Sequence, residues 1–224
     1  MNANKTNTAF FFLALITLCT IISCNEKQNL KIAEDIVFKQ VYIPVIQGET
    51  STIAYLNFNL EREESLSQLK VELGAGTPIE NVFVALVGEE GREKIVAGEY
   101  DSNTRFWYLK DKIDLKQGRQ QLAIKVSLPE DADLKTKFSL NIPLIELGDE
   151  QSIPDGLESL TPYRPGTALR TANDDGVAAF RIPGLATSKS GTLLAVYDVR
   201  HDDSSDLQGD IDVGLSRSVN GGIS

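Results

Sequence analysis

From residue 35 to residue 147 the chain alternates. Ala54, Leu56, Phe58 and Leu60 are separated by Tyr55, Asn57 and Asn59, and Leu69, Val71 and Leu73 by Lys70 and Glu72. The rhythm returns at Leu122, Ile124, Val126 and Leu128, set off by Lys125 and Ser127, and at Phe138, Leu140, Ile142 and Leu144, set off by Lys137, Ser139 and Asn141. Successive side chains of a strand point to opposite faces, so a period of two lets each run bury one face and wet the other. Residues 82–87 are apolar on both faces and are predicted as a central strand. Turn-forming residues interrupt the runs at 48–49, 74–76, 88–91, 101–103, 117–118 and 129–133. Short antiparallel strands at this spacing, with no amphipathic helical pattern, predict an all-β sandwich over residues 35–147, of roughly seven to nine strands.

One aromatic cluster stands out within it, at Phe106, Trp107 and Tyr108. Alternation sends such residues to both faces of a strand, so Trp107 is either core or a platform on which a sugar ring stacks.

The N-terminus is of a different kind. Lys5 precedes an apolar run over residues 9–22, too short for a comfortable membrane span and followed at once by polar sequence, as in a secretory signal. The run ends Ile21, Ile22, Ser23, Cys24, which resembles the cleavage box of bacterial lipoproteins. That resemblance implies removal of residues 1–23, lipidation of Cys24, a tether over 24–34, and a protein anchored in the cell envelope, periplasmic or at the cell surface. The other cysteine, Cys19, lies inside the segment that would be removed, so no internal disulfide is expected. The net charge of -10 argues against unaided binding to nucleic acid.

Residues 148–165 are rich in Gly, Pro, Ser and acids, and the alternation stops there; this is the predicted linker, with Leu157, Leu160 and Tyr163 apolar enough to dock on a neighbour. A second region follows over 166–224. Pro183 fixes its own backbone and biases Ile182 toward extended geometry, which predicts Arg181 on a strand entering a turn. Residues 188–191 read as a hairpin turn, and residues 193–199 as a returning strand that ends at Arg200. Two guanidiniums on adjacent strands suit an anion, since each can grip a carboxylate through paired charge-assisted hydrogen bonds. The segment 201–210 that follows holds Asp202, Asp203, Asp206 and Asp210. Ile211, Val213 and Leu215 then alternate as a further strand.

Phe180-Arg181-Ile182-Pro183, with Arg200 nineteen residues beyond Arg181 and Ser216-Arg217-Ser218 running into Val219-Asn220-Gly221-Gly222, resembles the opening of the catalytic domain of bacterial exo-α-sialidases. The resemblance covers roughly residues 163–224. It implies a six-bladed β-propeller, of which these residues would form the first blade, and a retaining glycoside hydrolase that releases terminal sialic acid from glycoconjugates, with no cofactor. Arg181 matches the first arginine of the triad that holds the sugar carboxylate, and Arg200 an additional active-site arginine. Asp206 is the choice for general acid/base, with Asp202, Asp203 and Asp210 as alternatives. Residues 218–224 follow the register of a sialidase Asp-box, with Asn220 in place of aspartate and Ser224 in place of threonine. The remaining triad arginines, the tyrosine nucleophile and its glutamate partner have no match, so the chain reads as an N-terminal portion, inactive alone. The alternative is a surface lipoprotein whose sandwich binds glycans or acts as a spacer, without catalytic activity. No metal site is expected: Leu207 stands where an EF-hand loop needs glycine. His201 is the only histidine, which excludes a Ser-His-Asp hydrolase and multi-histidine metal sites.

Overall fold

The computed structural model describes residues 32–76, 78–206 and 209–224. The predicted signal segment and Cys24 lie outside the described residues. No α-helix occurs among the described residues, and no helix there is long and apolar enough to cross a membrane.

The strands in chain order are β1 (Ala33–Gln40), β2 (Val45–Ile46), β3 (Thr50–Leu60), β4 (Glu64–Leu73), β5 (Asn81–Val87), β6 (Glu93–Ile95), β7 (Gly98–Asp101) and β8 (Phe106–Leu109), followed by β9 (Ile113–Leu115), β10 (Gly118–Ser127), β11 (Leu140–Leu147), β12 (Glu150–Ser152), β13 (Pro165–Gly166), β14 (Ala179–Thr187), β15 (Leu193–Arg200) and β16 (Ile211–Ser218). One antiparallel sheet runs β1-β3-β10-β5-β6, and a second runs β12-β11-β4-β8-β7 with β9 added to β4. The alternating side chains meet between them: Leu56, Phe58, Leu60, Val71, Leu73, Leu122, Ile124, Val126 and Ile142 are all buried in one apolar cluster. The fold is an all-β sandwich.

Among the described residues the two sheets hold eleven strands, more than the sequence predicts, because β6, β7, β9 and β12 have only three or four residues each. So short a segment shows no period. The strand at 82–87 is interior as predicted, paired with β10 on one side and β6 on the other.

One expectation is corrected, and one open reading is decided. Leu144 is only half-buried, and Ile145 and Leu147 take its place in the core. The cause is a bulge between Asn141 and Leu144, where Pro143 has no N–H to give the ladder and one extra residue flips the alternation. Trp107 is 2% exposed, packed in the core, so it offers no platform to a sugar. Alternation instead sends Phe106 and Tyr108 outward, with the Lys70 ammonium 3.8 Å above the Phe106 ring.

Residues 150–166 do not hang free of the sandwich. Beyond β12, the Gln40 side chain both donates to the Thr161 carbonyl (2.6 Å) and accepts from the Thr161 N–H (3.0 Å). Tyr163 stacks on Phe138 at 5.1 Å and donates its hydroxyl to the Ile53 carbonyl at 3.0 Å. Burial is the main reason the Tyr163 pKa is raised. β13 then pairs in parallel with β2.

β14, β15 and β16 form a separate three-stranded antiparallel sheet. Ser188 closes the β14–β15 hairpin by accepting from Gly191 N–H, with Gly191 at φ 83°, a turn conformation that costs glycine little. After β16, the Asn220 Oδ1 accepts from the Ser218 hydroxyl (2.8 Å) and from Ser224 N–H (3.1 Å), the work an aspartate carboxylate would do in such a turn. This sheet covers its apolar groups poorly: Leu185, Val213, Leu215 and Ile223 are all more than half exposed.

Candidate functional site

Arg181 lies on β14 directly opposite Asp198 of β15, and Arg200 ends β15 opposite Ala179. The next strand pair in register is Gly184 with Val196, so Ile182 and Pro183 together face one residue of β15. This is a bulge, and it holds Ile182 at φ 50°. Left-handed backbone is strained for a β-branched residue. The expected extended geometry at Ile182 is therefore corrected, and the strand continues through Pro183 to Thr187 instead of turning. A bulge re-aims the side chain beside it, and Arg181 reaches across to the loop that follows β15.

That loop brings the site together. The Asp206 Oδ1 accepts from Arg181 Nη1 at 2.9 Å and from Arg200 Nη1 at 2.9 Å. Arg200 Nη1 also donates to the Ser204 and Ser205 carbonyls, and its Nη2 to Asp198 Oδ2 at 3.0 Å. Arg181 Nη1 shares the Ser204 carbonyl at 2.8 Å. Arg200 is 2% exposed, whereas the Arg181 side chain is 41% exposed and open to a ligand. Burial works against the Arg200 charge, but the bonds to Asp198 and then Asp206 outweigh it, and its pKa is raised. The Arg200 hydrogen bond, followed by the charge of Arg181, holds the Asp206 carboxyl below its ordinary range.

Of the alternative acids, Asp203 accepts from Ser205 N–H at 2.6 Å and Asp202 from Asp210 N–H at 3.4 Å, so both brace the loop, while the backbone carbonyl of Asp210 accepts from His201 N–H at 3.1 Å. None of the three reaches an arginine of the pair by a hydrogen bond among the described residues. Among these residues, no group of three or more His, Cys, Asp or Glu side chains is placed to hold a metal ion.

Sequence reasoning passed over two participants. Asp198 stands two residues before Arg200, hence on the same face of β15, and the period of two would have found it. Arg170 carries no such signal, since it comes from the irregular segment before β14. Its Nε donates to the Tyr197 hydroxyl at 3.1 Å, Tyr197 also shares a hydrogen bond with Ser216 at 2.8 Å, and these two bonds, Ser216 first, lower the Tyr197 pKa. Tyr197 alternates with Asp198, so this cluster braces the face of the sheet away from the arginine pair.

A carboxylate gripped by two converging guanidiniums is an anion site with an anion in it. No family model matches the chain. It is 30% identical over 223 residues to a sialidase of Bacteroides fragilis (strain YCH46). By sequence, the chain is related to bacterial sialidases. The match takes in 85% of this chain and 41% of that sialidase, so the chain spans less than half the length of the curated relative. A solved structure, Hadza microbial sialidase Hz136, superposes with a TM-score of 0.58 at 24% identity, over 83% of this chain and 42% of that one, and shows a shared fold. Both sialidase matches extend over more than four-fifths of the chain and so include most of the sandwich.

Proposed function

We propose that these residues supply the N-terminal sandwich and the first propeller sheet of a retaining exo-α-sialidase acting on sialylated glycoconjugates. The observation that carries this reading is the convergence of Arg181 and Arg200 on one carboxylate oxygen. In the proposed site Arg181 receives the sugar carboxylate, since it is the exposed member of the pair. Arg200, buried and tied to Asp198, is the fixed post that orients the loop. Asp206 is the proposed general acid/base. The exposed apolar face of β14–β16 supports packing against further sheets, as a propeller requires. The proposed boundaries are a sandwich over 35–147, a linker over 148–165 and the catalytic region from 166.

The described site couples two cations and a carboxylate to each other, with no nucleophilic hydroxyl bonded to any of them. Binding without turnover is therefore expected of the 224-residue polypeptide. Titration with N-acetylneuraminic acid should shift the Arg181 guanidinium NMR resonance, and the shift should vanish in Arg181→Ala. No fluorophore should be released from a fluorogenic sialoside. An unmoved Arg181 resonance would remove the basis for the site.

We also propose that Cys24 carries a lipid that anchors the protein in the cell envelope, on the strength of the sequence that precedes it. Radiolabelled palmitate is expected to enter the wild-type protein expressed in a bacterium and not Cys24→Ser; equal labelling of both would refute the anchor.

A further inference from the structure

Ile182 holds a left-handed backbone, φ 50°, yet its side chain is 61% exposed, so it buries too little to account for the strain. The cause lies in the pairing of β14 with β15. Arg181 stands opposite Asp198 and Gly184 opposite Val196, which leaves Ile182 and Pro183 together against Tyr197. Pro183 has no N–H to offer the ladder, and a bulge is one of the few places where a paired strand accepts proline. Gly184 then brings the strand back into register beside Val196, at a point where a Cβ would come within 3.1 Å of Val196 Cγ2.

Tyr197 is the fixed point beneath the bulge. Its ring meets Phe180 edge-on at 5.6 Å, and its hydroxyl is bonded to Arg170 Nε at 3.1 Å and to Ser216 at 2.8 Å. Gly214, opposite Tyr197 on β16, makes room for the ring, since a Cβ there would lie 2.3 Å from Tyr197 Cε2. The backbone of Arg181 is therefore framed on both sides, by Phe180 packed on Tyr197 before it and by the proline bulge after it. Strained backbone persists only where its surroundings over-determine it, and such places gather where a side chain has to be aimed. The side chain framed here is that of Arg181, whose guanidinium leaves β14 for the Ser204 carbonyl and Asp206 of the loop beyond β15.

We propose that Ile182, Pro183 and Tyr197 are positioning residues that aim Arg181 at its anion, Pro183 by imposing the bulge, Ile182 by carrying the left-handed turn within it, and Tyr197 by fixing the strand opposite. Affinity for a sugar carboxylate rests on the proposed function; the aim of Arg181 at Asp206 does not. Variants are made in the whole polypeptide. Pro183→Ala supplies the missing N–H and lets the register close. The Arg181 guanidinium NMR resonance is then expected to lose the response to acid below about pH 4 that Asp206 gives it, and affinity for N-acetylneuraminic acid to fall roughly tenfold. Ile182→Gly accepts the left-handed backbone without strain, so it keeps both the acid response and the affinity. Tyr197→Phe keeps the ring and loses both hydroxyl bonds, which is expected to weaken the affinity roughly threefold. Amide hydrogen exchange in β15 and β16 reports whether each variant keeps the sheet; if Pro183→Ala does not, the contrast between Ile182→Gly and Tyr197→Phe decides. A folded Pro183→Ala protein with the wild-type acid response overturns the bulge as the aiming device, as does an Ile182→Gly protein that loses that response. Wild-type behaviour of Tyr197→Phe overturns the part of Tyr197. A wild-type protein that shows the acid response and binds no N-acetylneuraminic acid removes the proposed function and leaves the aim of Arg181 standing, so the two fail separately.

Discussion

Trp107→Ala is expected to destabilise the sandwich by about 3–5 kcal/mol, the range for truncating a large buried aromatic side chain. Trp107 is 2% exposed at the second sheet's inner face, and the backbone on both sides of it is committed to ladder pairing: Val71 of β4 lies opposite it on one side and Tyr100 of β7 on the other. Those ladders cannot move inward to fill the space an indole leaves, so the cavity persists and the cost stays near the upper end. Gly98 reports the same tightness, because a Cβ built there would come within 1.9 Å of the indole Cζ2. Urea unfolding followed by circular dichroism measures the change. Tyr108→Ala is the control: it stands on the outer face, 40% exposed, and should cost about 1 kcal/mol or less. Equal stabilities for the two variants would place the indole at the surface, where a sugar platform would need it.

The reason Trp107 was open to two readings, while its burial is unambiguous in the fold, shows what alternation conveys. A period of two says that Trp107 and its neighbours Phe106 and Tyr108 face opposite ways; it does not say which way is in. Neighbouring strands decide that, and here Val71 and Tyr100 do so. Where a bulge intervenes, even the phase is lost, as Pro143 shows by moving the core set from Leu144 to Ile145. The candidate site divides in the same way. That Arg181 and Arg200 stand on paired strands follows from a hairpin whose turn and return were legible at residues 188–200. Their meeting at Asp206 depends on the path of a loop rich in aspartate; the family resemblance puts Asp206 first there, but the sequence leaves Asp202, Asp203 and Asp210 open beside it. The geometry gives Asp206 a contact that the other three lack, since it alone of the four accepts from both guanidiniums. It also reverses the electrostatic expectation for a general acid, which needs its proton near neutral pH, since the arginines draw the Asp206 pKa down.

Replacing Arg200 by methionine is expected to free the loop from the sheet and leave the sandwich intact. One Arg200 nitrogen serves the Ser204 and Ser205 carbonyls and Asp206, so a single side chain closes the loop on β15, and methionine of similar length cannot donate to any of them. Limited proteolysis within residues 201–210 should quicken by roughly tenfold, while the main urea transition stays put. Acid should act on the same contact. The folded pKa of Asp206 is depressed, so its hold on the arginines is fully present above the ordinary aspartate value of about 3.9 and is lost as pH falls below that through the lower folded pKa. The Arg181 guanidinium resonance should accordingly be steady down to about pH 4 and move only below it, and the movement should disappear in Asp206→Asn. A resonance that instead titrates between pH 5 and 7 would mean that Asp206 does not sit between the guanidiniums. In the proposed site, a sugar carboxylate arriving at Arg181 would change this balance. It takes the place of Asp206 on the exposed arginine, which removes one cation's pull and adds an anion beside the acid, and both raise the Asp206 pKa. Sialic acid is therefore expected to move the Asp206 titration upward, so that the ligand itself brings the carboxyl toward the protonated state that a general acid requires.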